Sequence, residues 1–314
     1  MKTLPTSFST TTRCFLVALV VAAVPALRAA ETAKSFRSPE EAVAALTAAV
    51  NAKDAVALRA IFGPGATDIE NRDPAQAANE LTSFAAALKE TSRIARKSDT
   101  RCILEAGKEF WPFPIPMVKV SGQWQFDLQA GKEELLNRRI GHSELLTLRV
   151  MRAYVTAQRE YAGRDRDGDE VLEYAQRLHS SSGKKDGLYW HPKLDREISP
   201  FGPLAAEAQA HGDETKAKDK SNAPRSFNGY FFRILTRQGS HAPGGRYDYV
   251  INGNMIGGFA LVAWPAEYGR SGIMTFIVNQ QGRVHQKDLG PKTASSVKSI
   301  TSYDPDKTWT LCRD

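Results

Sequence analysis

Cysteine is scarce in this chain, three in 314 residues, and that scarcity excludes a small scaffold held together by disulfides. Long apolar runs are scarce too. One stretch of about 11 residues stands out where a membrane-spanning helix needs about 20, so a polytopic membrane protein is excluded. The 23 glycines and 16 prolines follow no period, which removes a collagen-like chain. The usual catalytic signatures are missing as well. There is no Gly-x-Ser-x-Gly elbow, His-Glu-x-x-His, Cys-x-x-Cys, phosphate-binding P-loop or dinucleotide fingerprint. Six histidines, His142, His179, His191, His211, His241 and His285, are scattered singly. A lone histidine is more often a surface or hydrogen-bonded residue than a base or a ligand.

What is present suffices for two domains. The chain is 42% apolar, and its length matches two domains of about 100 to 200 residues each. Lys2 and Arg13 precede the apolar run Cys14 to Val24, and Pro25 leads into small residues at Ala29 and Ala30. This is the pattern of a secretory leader over residues 1–30. It implies export through the general secretory route to the periplasm or cell exterior, with no transmembrane anchor in the mature form. Losing the leader takes three of the 42 basic residues and none of the 35 acidic ones, which lowers the net charge from +7 to +4. The densest basic stretch, Arg93, Arg96, Lys97 and Arg101, has no aromatic interleaved. It reads as a solvated helix face, and no nucleic-acid partner is expected.

In the mature chain, Ser38-Pro39-Glu40-Glu41 combines an N-cap, a proline at the first helical position and an acid at the third. A helix is expected there, carried by Ala42, Leu46, Ala49 and Val50, then a second one stopping at Gly63-Pro64-Gly65 and a third over 75–89. Residues 101–128 turn β-compatible. Pro112, Pro114 and Pro116 would all lack their donor on one side of a strand, which predicts an edge strand at Trp111 to Met117. A helix is expected over 131–163, continuous or broken at Gly141, as the connector between a first domain at 31–130 and a second at 164–314. The polar stretch 212–226 reads as an exposed loop. After it, Tyr230 to Leu235, Tyr247 to Ile251, Phe259 to Trp264, Ile273 to Val278 and Arg283 to Gln286 predict an antiparallel meander.

Four candidate sites stand out. Asp165, Asp167 and Asp169, followed by Glu173, alternate carboxylates around Gly168, a pattern able to wrap oxygen ligands around calcium. Counted as an EF-hand from Asp165, the sixth position is Glu170 instead of Gly and the twelfth is Gln176 instead of Glu, so an Asx-turn is the alternative. Cys102 and Cys312 would remain after leader removal and form a candidate disulfide, with two separate buried thiols as the alternative. Glu267 and Arg270 lie between two apolar strands, as a ligand surface or as a pair across a turn. Trp111, Phe113 and Trp124 either line a pocket or pack a core.

Trp111-Pro112-Phe113-Pro114-Ile115-Pro116, Arg138-Arg139-Ile140-Gly141, Ala157 to Ala162, Asn228 to Leu235, Gly257 to Ala263 and Met274 to Asn279 together resemble an exported bacterial family defined only as a domain of unknown function, family 2950. The resemblance supplies no activity. The order of a helix ending in Ala157-Gln158-Arg159-Glu160-Tyr161, an acidic loop and a closing meander is also similar to pseudopilin and pilin globular heads, some of which bind calcium in a loop. The first domain resembles the nuclear-transport-factor-2-like cone, a fold that hosts enzymes and binding modules alike. The fold class expected is therefore α+β: N-terminal helices plus a curved antiparallel sheet, a long connector helix, then a pilin-head-like helix and antiparallel meander. The expected function is that of an exported non-catalytic binding or assembly module of the cell envelope, with envelope, secretion or pilus proteins as partners and calcium as the one candidate cofactor. The alternative is a secreted enzyme, such as a hydrolase, using a pocket in the first domain.

Overall fold

A computed structural model describes residues 33–69, 74–190, 197–202 and 226–313. The expected leader at 1–30 and the loop at 212–225 lie outside the described residues. The fold is α+β, divided into two compact units, one up to Leu128 and one from Gln129. Each has its own hydrophobic core.

The first unit opens with α1 (Pro39–Ala52). The Ser38 hydroxyl accepts from the Glu41 amide at 3.2 Å, while the Glu41 carboxylate reaches one residue beyond the cap and accepts from the Arg37 amide at 2.8 Å. Ala42, Leu46, Ala49 and Val50 form its buried stripe. Helix α2 (Ala55–Phe62) starts on Asp54, whose carboxylate takes the amides of Val56 and Ala57. It stops at Gly63, where φ is +78° and an added Cβ would lie 2.7 Å from the Ala33 backbone nitrogen. Helix α3 (Pro74–Glu90) follows. The strands β1 (Ser92–Ser98), β2 (Arg101–Ala106), β3 (Trp111–Pro112), β4 (Met117–Val120) and β5 (Gln123–Phe126) form one antiparallel sheet in the order β1-β2-β4-β5, with β3 also on β2.

Two expectations fail in this sheet. The basic stretch is not a helix face: Arg93, Arg96 and Lys97 lie on edge strand β1 and Arg101 begins β2, because Ile94 and Ala95 pair with Leu104 and Ile103 across a hairpin. Charged side chains on an outer strand also discourage pairing with another chain. The proline stretch is not one edge strand either. It splits into β3 and β4, both on β2, with Pro114 to Pro116 between them outside the ladder, and β4 is interior because it also pairs with β5. The prolines break the strand where a continuous ladder would have required their missing donors. Ile115 and Met117 enter the core, whereas Trp111 is 70% exposed.

In the second unit, α4 (Leu128–Tyr161) is one unbroken helix through Gly141. Strands β6 (Tyr230–Leu235), β7 (Arg237–Gln238), β8 (Tyr247–Asp248), β9 (Val250–Ile251), β10 (Asn254–Met255), β11 (Ala260–Pro265), β12 (Met274–Asn279) and β13 (His285–Asp288) follow, then the short helix α5 (Thr293–Ser296) and β14 (Thr310–Leu311). The main sheet runs β14-β13-β12-β11-β6, all antiparallel, so the meander from β11 to β14 places β6 beside β11. Pairs β7-β8 and β9-β10 branch off the connection, dividing the single strand expected over 247–251. Every residue from Thr275 to Asn279 is buried, so β12 is covered on both faces. Met151, Tyr154, Val155 and Ala157 of α4 share a core with Leu261, Val262, Phe276 and Ile277.

Candidate functional site

The end of α4 fixes the acidic loop. Gln158, fully buried in the helix's last turn, donates to the Ala175 carbonyl and accepts from the Ala175 amide, both at 2.8 Å, and also donates to the Tyr154 hydroxyl at 3.0 Å. Tyr154 in turn donates to the Ala260 carbonyl. A buried side chain thus does for Ala175 what a ladder partner does in a sheet, and the loop between 162 and 174 is closed at both ends. At its start, Arg166 is only 8% exposed and lies between the rings of Tyr161 and Trp190, at 4.9 and 5.1 Å. Its guanidinium reaches Glu197 at 3.1 Å. The same carboxylate takes Lys185 at 2.6 Å and Arg164 at 3.3 Å. Lys185 first, then Arg166, holds Glu197 below its ordinary carboxylate range.

Within this frame Asp165, Asp167 and Asp169 converge, with one carboxylate oxygen of each within 4.8 Å of the others. All three are exposed. Asp165 accepts the amides of Asp167, Gly168 and Glu170, and the bonds to Gly168 and Glu170 lead in depressing its pKa. Gly168 has φ +84°, and Glu170 takes a left-handed φ of +67° itself. Asp169 accepts from the Val171 amide and from the Asn254 side chain at 2.7 Å. Glu173 does not join the three: its carboxylate caps the Met255 amide at 3.0 Å. The Asx-turn pattern and the carboxylate cluster therefore coexist. A hard cation would find three carboxylates and would need its remaining oxygens from backbone or water.

The same bonds tie the loop to the β9-β10 hairpin. Tyr174 donates its amide to the Met255 carbonyl, and the Gln176 side chain donates to the Gly253 carbonyl. Leu172, Ile251 and Ile256 nevertheless stay exposed, at 59, 46 and 43%.

The other candidates separate. Trp124 is buried and exchanges two backbone hydrogen bonds with Phe36. Phe113 stacks on Phe84 and touches Phe62 and Phe126, so Trp111 alone of the three faces water. Glu267 and Arg270 pair at 3.4 Å across their turn, both exposed. Of the two readings of the cysteines, the separate thiols hold: Cys102 and Cys312 are both free. Cys102 is fully buried in the first core and Cys312 packs against the second, and burial raises both thiols.

Sequence reasoning overlooked Gln158, Asn254, the Glu197 cluster and a dyad at His241 and Asp304. In the dyad, the Asp304 carboxylate accepts the His241 amide and lies 3.0 Å from its Nδ1. All four depend on partners distant in the chain. Among the described residues no helix is long and apolar enough to cross a membrane.

A family model described as "Protein of unknown function (DUF2950)" matches residues 33–312. The chain belongs to this family. DUF2950 thus spans both units, the acidic loop and the β9-β10 hairpin. The chain matches no curated protein and no solved structure, so the likenesses to pilin heads and to the nuclear-transport-factor-2-like cone rest on element order alone.

Proposed function

We propose that this DUF2950 chain is an exported, non-catalytic binding or assembly module of the cell envelope. One observation carries the reading. In the second unit, the acidic loop and the β9-β10 hairpin are locked together by side-chain and backbone bonds, yet present Leu172, Ile251 and Ile256 to water. Apolar side chains held exposed on a rigid scaffold suit a partner surface. The leader pattern at residues 1–30 supports export, and the likeness to pilin heads supports assembly. The test is cross-linked capture from the native envelope, comparing the wild type with Leu172→Asp and Ile251→Asp. Specific partners captured by the wild type and lost in both variants support the reading. Identical capture profiles for all three proteins sink it.

A second reading follows from the converging carboxylates. Calcium at Asp165, Asp167 and Asp169 relieves their mutual repulsion and stiffens the surface beside them. Calcium at about ten times its Kd then stabilises the protein by about 1.4 kcal/mol, which raises the melting temperature of the second unit by a few degrees. Asp167→Asn reduces that rise. If calcium and chelator give the same melting curve, the loop is an Asx-turn and nothing more.

A further inference from the structure

We propose that the outer edge of β1, in the first unit, pairs with an extended acidic segment of a partner protein, which adds a strand to the sheet. The backbone carries this inference. The Gly107 amide donates to the Thr91 carbonyl at 2.9 Å, and hydrogen-bonded pairs alternate with non-bonded ones along an antiparallel ladder. Arg93 and Ala95, opposite Glu105 and Ile103, therefore bond to β2, whereas Ser92, Ile94 and Arg96 turn their amides and carbonyls to the other side. The far side of β2 agrees in phase: Leu104, opposite Ile94, accepts the Phe113 amide there at 2.7 Å. Among the described residues no strand but β2 pairs with β1, and no loop or cap bonds to Ser92, Ile94 or Arg96 through the backbone. The strand runs seven residues without a proline, whereas protected edges are commonly short or broken by one.

Charge selects the occupant. β1 carries Arg93, Arg96 and Lys97 and no acid. Arg93 reaches Glu105 at 2.6 Å and lies over the Phe110 ring at 3.9 Å, and Arg96 reaches Glu40 at 3.4 Å. Glu105 sits on β2, behind β1 as seen from the outer edge. The Arg96 pair is mostly exposed on both sides, and such a pair holds its partners only weakly. A strand laid on this edge meets these cations at cross-strand distance. A basic strand is repelled, and a second copy sets the three cations against the same three. Alternate carboxylates instead face them, while the residues between pack beside half-buried Ile94. The charges that discourage indiscriminate pairing thus admit one class of partner.

The test is amide hydrogen exchange of the full chain, purified as the cell processes it and read by NMR. The probe is a capped peptide alternating valine and glutamate. Without peptide, the amides of Ser92, Ile94 and Arg96 are expected to exchange fast and those of Arg93 and Ala95 slowly. At about ten times its Kd the peptide slows the first three by about tenfold, since about one chain in eleven keeps an open edge. The corresponding valine and lysine peptide binds about fivefold more weakly or worse, as reversed cross-strand charge pairs predict. N-methylation of the valines, which removes the donors facing β1, abolishes the slowing. Lys97→Glu, at an exposed position, weakens the glutamate peptide by about threefold or more. Slow exchange at Ser92 and Ile94 without peptide means that the edge is already covered and overturns the proposal. Slowing that grows with protein concentration alone also overturns it, by making a second copy the occupant. Equal effects of the two peptides, or no effect of either, do the same. The edge shares no residue with the surface of Leu172 and Ile251, so failure of capture there and failure of pairing here are separate results.

Discussion

At the scale of single residues, the closest approach with a consequence is that of Gly272 to Tyr230. An added Cβ at Gly272 would lie 2.0 Å from the Tyr230 hydroxyl and 2.5 Å from its ring. Tyr230 is fully buried and donates to the Met274 carbonyl at 3.0 Å, so the ring has nowhere to retreat. Gly272→Ala should cost about 1 to 3 kcal/mol as overpacking. Tyr230→Phe should cost about 1 kcal/mol through the lost hydrogen bond. The double variant should be less damaged than the sum, because removing the hydroxyl removes part of the clash. Strict additivity in denaturant unfolding would show that the two residues do not meet. Glu197 gives a second test at this scale. Its pKa is lowered in the folded protein by Lys185 and Arg166, so the stability it contributes is complete above its unfolded value of about 4.3. That stability is lost as the pH falls from there through the depressed folded value. Glu197→Gln should therefore flatten the acid limb of a stability profile below about pH 4.3, while lowering stability at neutral pH. An acid limb as steep as that of the wild type would remove Glu197 from the account.

At the scale of elements, α4 shows where packing decides what local sequence patterns leave open. Gly141, flanked by Arg138, Arg139 and Ser143, has the residues of a helix end and a new cap, yet the helix passes through it. Buried residues beyond it, Val150, Met151, Tyr154 and Val155, keep the helix in register with the core, and packing outweighs one unfavourable propensity. Nothing lies within 4 Å of an added Cβ at Gly141, so Gly141→Ala should stabilise the second unit by about 1 kcal/mol. A loss of stability in thermal melting would mean that this glycine is needed for a bend or a close partner. The caps on Ser38 and Asp54 and the turn from Asn279 to Gly282 depend on neighbours within a few residues. Such local features are legible in the sequence. Strands β3 and β4 are not, because three alternating prolines specify which amides are missing but not where the chain leaves the ladder. The acidic loop is legible as far as its three aspartates. Glu173, four positions beyond Asp169, reads from the sequence as a further carboxylate of the same group, and only its Met255 partner, 82 positions away, assigns it to the hairpin.

At the scale of the whole molecule, the cysteines join two questions. Counting thiols, with the expected leader removed, makes Cys102 and Cys312 a candidate pair, but counting cannot tell that β2 and the residues after β14 belong to different cores. The fold assigns one free thiol to each unit: Cys102 fully buried in the first and Cys312 partly buried against the second. Each thiol therefore reports the opening of its own unit. Two units with separate cores need not unfold together. In a denaturant series with pulsed thiol labelling, read by peptide mass so that Cys14 is told apart, the two cysteines should become reactive at two different midpoints. Reductant should leave both midpoints unchanged, since no bridge exists to break. Cys312 should also react slowly without denaturant, because its protection is incomplete, whereas Cys102 should stay silent until its core opens. A single shared midpoint would show that the units unfold as one cooperative body, and a shift on adding reductant would restore the disulfide that the fold rejects.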